Sequence, residues 1–159
     1  MDRTPSWRTS GIYPRPPRLE PAAQKLRILF AGRVIAATTA GFRVLETSHP
    51  PVYYLPPSAF TGCVLTPASG ASVCEWKGSA QYWSIRVDNR VAERAGWSYP
   101  KPTEGFALIR DYLAVYAGRM DACFVGGEAA TPQPGGFYGG WVTRNLKGPF
   151  KGMLGSMSW

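Results

Sequence analysis

A single histidine, His49, stands in a chain of 159 residues, and its three cysteines, Cys63, Cys74 and Cys123, lie too far apart to form a Cys-x-x-Cys pair. A structural zinc takes four such ligands and a catalytic zinc usually three, so the inventory predicts no metal site. An odd number of widely spaced thiols likewise gives no disulfide framework. Gly-x-Ser-x-Gly is absent, as are the dinucleotide fingerprint, the calcium loop and the phosphate-binding loop. No familiar nucleophile motif remains, and no cofactor is expected. No run of about eighteen apolar residues is there to cross a bilayer. Met1 to Arg18 is polar and proline-rich, without the apolar segment of a signal peptide. The expectation is a soluble cytoplasmic protein with no membrane partner.

Acid is scarce as well: Asp and Glu number 10 against 18 Lys and Arg, a formal net charge of +8. An excess of this size raises the question of nucleic acid, and its distribution answers against it. Arg3, Arg8, Arg15, Arg18, Lys25 and Arg27 face only Asp2 and Glu20 over residues 1–27, whereas residues 28–125 come close to balance. No dense basic stripe, recognition helix or zinc finger is present. No specific nucleic-acid partner is expected, only a weak attraction to anions.

What the chain does have is 45% hydrophobic residues with 18 Gly and 15 Pro. That composition fits one folded, turn-rich domain better than a helical bundle. Residues 1–24, with Pro5, Pro14, Pro16, Pro17 and Pro21, read as a basic arm that is either disordered or laid along the domain, with Trp7 and Ile12-Tyr13 as anchors. Residues 25–159 read as a single mainly β domain with a Gly- and aromatic-rich C-terminal extension. Strands are expected at Leu26–Phe30, Val34–Ala36, Phe42–Glu46 and Val52–Leu55, and a short one at Cys63–Leu65 that stops before Pro67. The clearest hairpin runs from Gln81–Val87 through Asp88-Asn89 into Arg90–Glu93. Phe106, Ile109, Leu113 and Tyr116 fit a helical stripe, while Tyr112–Tyr116 also fits a strand. The preferred division is a short helix over about 103–111 and a strand over about 112–116. Gly135–Trp141 and Lys147–Gly152 read as aromatic-pinned loops around a strand at Trp141–Thr143.

The residues with chemistry cluster in two turns. In Arg43-Val44-Leu45-Glu46-Thr47-Ser48-His49-Pro50-Pro51-Val52-Tyr53-Tyr54 the double proline holds His49 out of the helical region, between two strands. Histidine can exchange a proton near neutrality and Glu46 can orient it, so His49 and Glu46 are the catalytic candidates. A structural hydrogen-bonding role for this histidine is the competing reading. In Cys74-Glu75-Trp76-Lys77-Gly78-Ser79, Lys77 is placed to receive an anion, and Cys74 is a reactive thiol if a nearby cation lowers its pKa. A buried cysteine and a surface lysine are the plainer readings. Trp97, Tyr99, Tyr53, Tyr82 and Arg43 complete the ligand-binding candidates beside Lys77. Aromatic faces can enclose a cation or stack on a planar ring, although alternation forbids neighbours such as Tyr82 and Trp83 from sharing a face. His49, Glu46, Lys77 and Trp97 are expected around one concavity.

The runs Arg43–Tyr54 and Cys74-Glu75-Trp76-Lys77-Gly78-Ser79-Ala80-Gln81-Tyr82-Trp83-Ser84, followed by Ala95-Gly96-Trp97-Ser98-Tyr99-Pro100, resemble the small bacterial family called domain of unknown function 427. The ending Gly135–Thr143, then Gly148–Gly152, is similar to the tail of members that carry an extension, so the resemblance spans roughly residues 25–152. It implies an all-β, mainly β fold: compact, tent-like or barrel-like curled antiparallel sheets with one short helix. Methionine sulfoxide reductase B and the ligand-binding domain of cereblon have such tent-like folds. Many of those relatives hold zinc with paired Cys-x-x-Cys motifs; this chain lacks both pairs, so the zinc does not carry over. The aromatic cage of the cereblon-like fold implies small-molecule binding without assigning particular tryptophans here.

Two functional expectations follow. One is binding of a small anionic or aromatic metabolite, with or without hydrolysis or group transfer. The other is a non-catalytic protein-interaction or structural domain, in which the arm and the aromatic-glycine ending dock on another chain or form a homodimer.

Overall fold

The computed structural model describes residues 17–46, 49–74, 77–134 and 139–144. Trp7, Ile12-Tyr13 and the Lys147–Gly152 loop lie outside the described residues, as do Thr47, Ser48, Glu75 and Trp76. The chain is mainly β, and its sheets are antiparallel throughout. They curl over one another without closing into a barrel. Among the described residues no helix is long and apolar enough to cross a membrane.

The first sheet has the order β1 (Arg18–Pro21), β4 (Phe42–Leu45), β5 (Val52–Tyr54). β1 belongs to the proline-rich arm and lies along β4, Leu19 opposite Val44. The second sheet runs β3 (Arg33–Thr38), β2 (Leu26–Phe30), β10 (Ala122–Val125), β11 (Glu128–Ala129). Leu26, Ile28 and Phe30 alternate inward along β2, which is the period of a half-buried strand. The third sheet is β6 (Val64–Cys74), β7 (Gly78–Val87), β8 (Arg90–Ser98), β9 (Ala114–Val115). A last pair, β12 (Thr131–Pro132) and β13 (Trp141–Val142), comes from the C-terminal extension. Leu55 and Leu113 exchange backbone hydrogen bonds of 2.8 Å, tying the first sheet to the third.

Two local expectations change. β6 does not stop before Pro67 but continues to Cys74, with Pro67 opposite Trp83. β6 is an edge strand, the one place in a sheet where a residue without N–H leaves no broken ladder. The short helix is a 3-10 segment, Glu104–Ile109, with a non-helical Phe106 inside it. Its two buried residues, Phe106 and Ile109, are three apart, the spacing that eclipses side chains in a three-residue turn. The strand expected after it is confined to Ala114–Val115.

The interior divides into two clusters. The larger one gathers Leu26, Ile28, Phe30, Tyr53, Ile85, Val115 and Trp141. The smaller holds Val44, Tyr54, Tyr82, Trp97, Tyr99, Phe106 and Ile109. Adjacent residues fall on opposite sides: Tyr53 and Tyr54 on β5, Ala114 and Val115 on β9. Those two strands are the partition. Trp141 seals the larger cluster from the C-terminal side. Its ring lies 5.2 Å from that of Tyr53, its indole N–H donates to Val115 O at 3.1 Å, and its backbone N–H donates to Pro51 O at 3.0 Å.

Candidate functional site

The smaller cluster opens into a half-enclosed cavity of about 160 Å³. Glu46, the first residue after β4, and His49 enter from one turn, in which the His49 N–H donates to Glu46 O at 3.2 Å. Pro50 and Pro51 then lead into β5, whose alternation turns Tyr54 toward the cavity and Tyr53 away from it. Lys77 comes from the connection between β6 and β7. Gly78 follows it at φ +96, and a Cβ there would meet Lys101 O at 2.9 Å, so the connection requires glycine. Tyr82 on β7 pairs with Trp97 on β8. Tyr99 extends the same face two residues on, and Tyr116 follows β9.

These rings form a box. Trp97 and Tyr116 have centroids 4.7 Å apart, and Tyr54 sits 6.5 Å from Trp97 and 6.4 Å from Tyr99. Such separations are those of favourable tilted and edge contacts. Burial pushes the Tyr54, Tyr99 and Tyr116 hydroxyls above the ordinary tyrosine range. They remain protonated and serve as hydrogen-bonding groups rather than bases.

One ion pair crosses the floor. Lys77 Nζ donates to Glu46 Oε1 at 2.8 Å, and the ammonium lies 5.9 Å from the centre of the Tyr99 ring. Burial lowers the pKa of Lys77, but the charge of Glu46 and its hydrogen bond outweigh that, and the net displacement is upward. Lys77 is therefore an ammonium near neutrality. As such it cannot serve as an amine nucleophile or a base.

His49 is held from the C-terminal extension. Gln133 is buried; its Oε1 accepts from the Gly140 N–H at 3.1 Å and its backbone N–H donates to Gly140 O at 3.0 Å. That fixes the amide orientation, so Nε2 is the group that faces His49 Nδ1 at 3.3 Å. Nδ1 accepts, and the neutral ring carries its proton on Nε2. The neighbouring backbone is pressed into a slot. A Cβ on Gly139 would overlap the Trp97 ring, and one on Gly140 would collide with Pro50 and with Gln133 Oε1.

Of the residues singled out from the sequence, Glu46, His49, Lys77, Tyr82, Trp97 and Tyr99 line this one cavity. Glu46 Oε1 pairs with Lys77, and Gln133 Nε2 faces His49 Nδ1. Tyr53 lies in the larger cluster. Arg43 pairs with Glu20, its Nε donating at 2.8 Å. Cys74 is half-buried at the end of β6, beside the aromatic cluster but outside the cavity lining. Among the described residues no group of three or more His, Cys, Asp or Glu is placed to hold a metal ion.

Sequence reasoning missed Tyr54, Ser72, Tyr116, Gln133 and Gly139. Tyr54 had a signal: counting by two along Val52–Tyr54 puts it opposite Tyr53. Gly139-Gly140 immediately before a large aromatic is also a mark of close backbone approach. Nothing in the sequence couples Gln133 to a histidine 84 positions earlier.

No curated protein matches the chain. The domain of unknown function DUF427 matches residues 18–126. The matched span contributes the box, the Lys77–Glu46 pair and His49, and it ends before the extension that supplies Gln133 and Gly139. Covering well over half of the sequence, the match places this chain in the DUF427 family.

Proposed function

We propose that this domain binds a small molecule whose planar ring enters the aromatic cavity. The observation that carries the reading is the convergence of Tyr54, Tyr82, Trp97, Tyr99 and Tyr116 with one ion pair and His49 around a single opening. A cavity of about 150 Å³ is on the scale that accepts one benzene-sized ring. Aromatic walls supply the contact area, and a few fixed polar groups set the orientation. Here Lys77 and the His49 Nε2–H are donors and Glu46 is an acceptor along the ring edge. Binding is favoured over covalent group transfer because the lysine is held charged and Cys74 lies outside the lining. The free thiols fit a reducing, cytoplasmic setting.

The test is a thermal-shift screen of single-ring metabolites. Ligands should raise Tm in proportion to occupancy, and the shift should shrink in Trp97→Leu and in His49→Ala. A broad library without one stabilising compound would sink the proposal.

A further inference from the structure

The floor of the cavity is electrically neutral, because Lys77 is matched by Glu46. Two guanidiniums without a carboxylate partner lie beside the lining residues Tyr82 and Tyr116. Among the described residues, Arg33, Arg43, Arg90 and Arg144 each pair with an acidic side chain, whereas Arg27, Arg86, Arg94, Arg110 and Arg119 do not; of these, Arg94 and Arg119 are the ones beside Tyr82 and Tyr116, and Arg119 Nη1 donates to Glu93 O at 2.5 Å. The guanidinium of Arg94 lies over the Tyr82 ring, 4.2 Å from its centre. Tyr82 Oη shares a hydrogen bond of 3.0 Å with Ser72 Oγ. Arg119 lines a second cavity of about 170 Å³ with Tyr116, Pro132 and Gln133. Tyr116 thus lines both cavities.

The sheet is built irregularly around Arg94. β8 shifts register against β7 between Trp83 and Ile85, and Arg94 sits in that bulge at φ 48 with its N–H donating to Ser84 Oγ at 3.1 Å. A left-handed backbone is costly for a long side chain and tends to persist where it aims a group. β6, on the other side of β7, shifts register between Ala68 and Ala71. Gly70 in that bulge has φ +101, and a Cβ there would press within 3.1 Å of Arg94 Nη2. Two bulges on strands flanking β7 therefore converge on one guanidinium, one by aiming it and the other by making room. Bulges that re-aim a side chain are typical beside binding sites.

We infer that Arg94 and Arg119 hold the anionic end of the ligand beside Tyr82 and Tyr116, so that the ligand is a single planar ring bearing a carboxylate or phosphate. The inference rests on the ring-binding reading above. It relocates the anion from Lys77, which Glu46 neutralises, to the two guanidiniums that stand beside Tyr82 and Tyr116, just outside the cavity lining. Guanidinium forks are the usual partners of such oxyanions.

Calorimetric titration with phenyl phosphate, benzoate, phenol and inorganic phosphate tests it, using the full chain and its Arg94→Gln and Arg119→Gln variants. At least one of the two aromatic anions should bind more tightly than phenol and more tightly than inorganic phosphate. Each variant should weaken that binding about tenfold and leave phenol within about twofold. Arg94→Lys and Arg119→Lys keep the charge and lose the fork; they provide the comparison if a glutamine variant fails to fold, and a partial loss of anion affinity is expected. Phenol binding as well as the anions, or variants that leave the anions untouched, overturns the inference while the ring-binding reading stands. Inorganic phosphate binding as tightly as phenyl phosphate overturns the link between the two guanidiniums and the cavity. Failure of all four probes to bind removes the ring-binding reading and this inference together.

Discussion

Replacing Glu46 by glutamine should turn Lys77 from an anchored cation into a stranded one. The Nζ–Oε1 distance is 2.8 Å, and the two side chains are 7% and 28% exposed. At that separation the attraction is about 6 kcal/mol for an effective dielectric of about 20, and desolvation of the ammonium consumes much of it. Removing one partner of a fully buried pair costs about 3–5 kcal/mol. Glu46 keeps part of its side chain in water, so about 2–3 kcal/mol is expected for Glu46→Gln. Lys77→Met should cost about 1–2 kcal/mol, because the carboxylate it leaves behind can hydrate. The double variant Glu46→Leu/Lys77→Met should return to within about 1 kcal/mol of the parent. Urea unfolding at neutral pH reads these differences as midpoint shifts at constant slope.

The pH dependence is the sharper check. In the parent, burial works against the Lys77 charge, Glu46 overrides it, and the pKa rises above its ordinary 10.5. A raised lysine pKa contributes stability that is complete below the unfolded value and disappears as pH climbs through the folded one. In Glu46→Gln, burial acts without the Glu46 opposition and the folded pKa falls below 10.5. That penalty is complete near neutrality and is relieved as pH approaches 10.5. The stability gap between parent and variant should therefore narrow as pH rises from about 7 toward 10.5. A gap that stays constant over this range, or a neutral-pH cost under about 0.5 kcal/mol, refutes the view that Lys77 is a desolvated cation held by Glu46.

Gly139→Ala should cost about 1–3 kcal/mol and alter the near-ultraviolet circular dichroism, because the added methyl lands on the Trp97 ring; unchanged stability and spectrum would show that the extension can lift off the box. Burial pushes the Cys123 thiol up to about 12 and raises that of Cys63, so neither presents much thiolate near neutrality. Mapping of labelled peptides after treatment with a disulfide reagent at pH 8 should find Cys123 modified only on unfolding, and rapid native labelling there would contradict the burial that holds it.

The strand framework was readable because period-two alternation depends only on near neighbours. Leu26–Phe30 and the Gln81–Glu93 hairpin follow it, and Asp88 takes the left-handed turn conformation at φ 53 that the hairpin needs. Pro67 misled because a missing N–H matters only where a strand would face it, and edge position is a property of the assembled sheet. Glu46, His49 and Lys77 were legible because polar side chains and prolines concentrate in the turns that hold them, and Tyr82, Trp97 and Tyr99 because aromatic residues concentrate along the hairpin and its exit. Their partners were not. Whether Glu46 meets His49 or Lys77 depends on how β4 stacks beside the β6–β7 turn, and the bulge that aims Arg94 is invisible to a pattern that assumes regular pairing.

The reach of Gln133 to His49 also sets an order of events during synthesis. At about 5–20 residues per second, β1 through β10 emerge and can pair before the ribosome has delivered Gln133, Gly139 and Trp141. For that interval the Trp97 face is bare, the larger core lacks its seal, and the imidazole tautomer is unset. Until then a chain that already carries β1 to β10 lacks the contacts that hold His49 and cover Trp97.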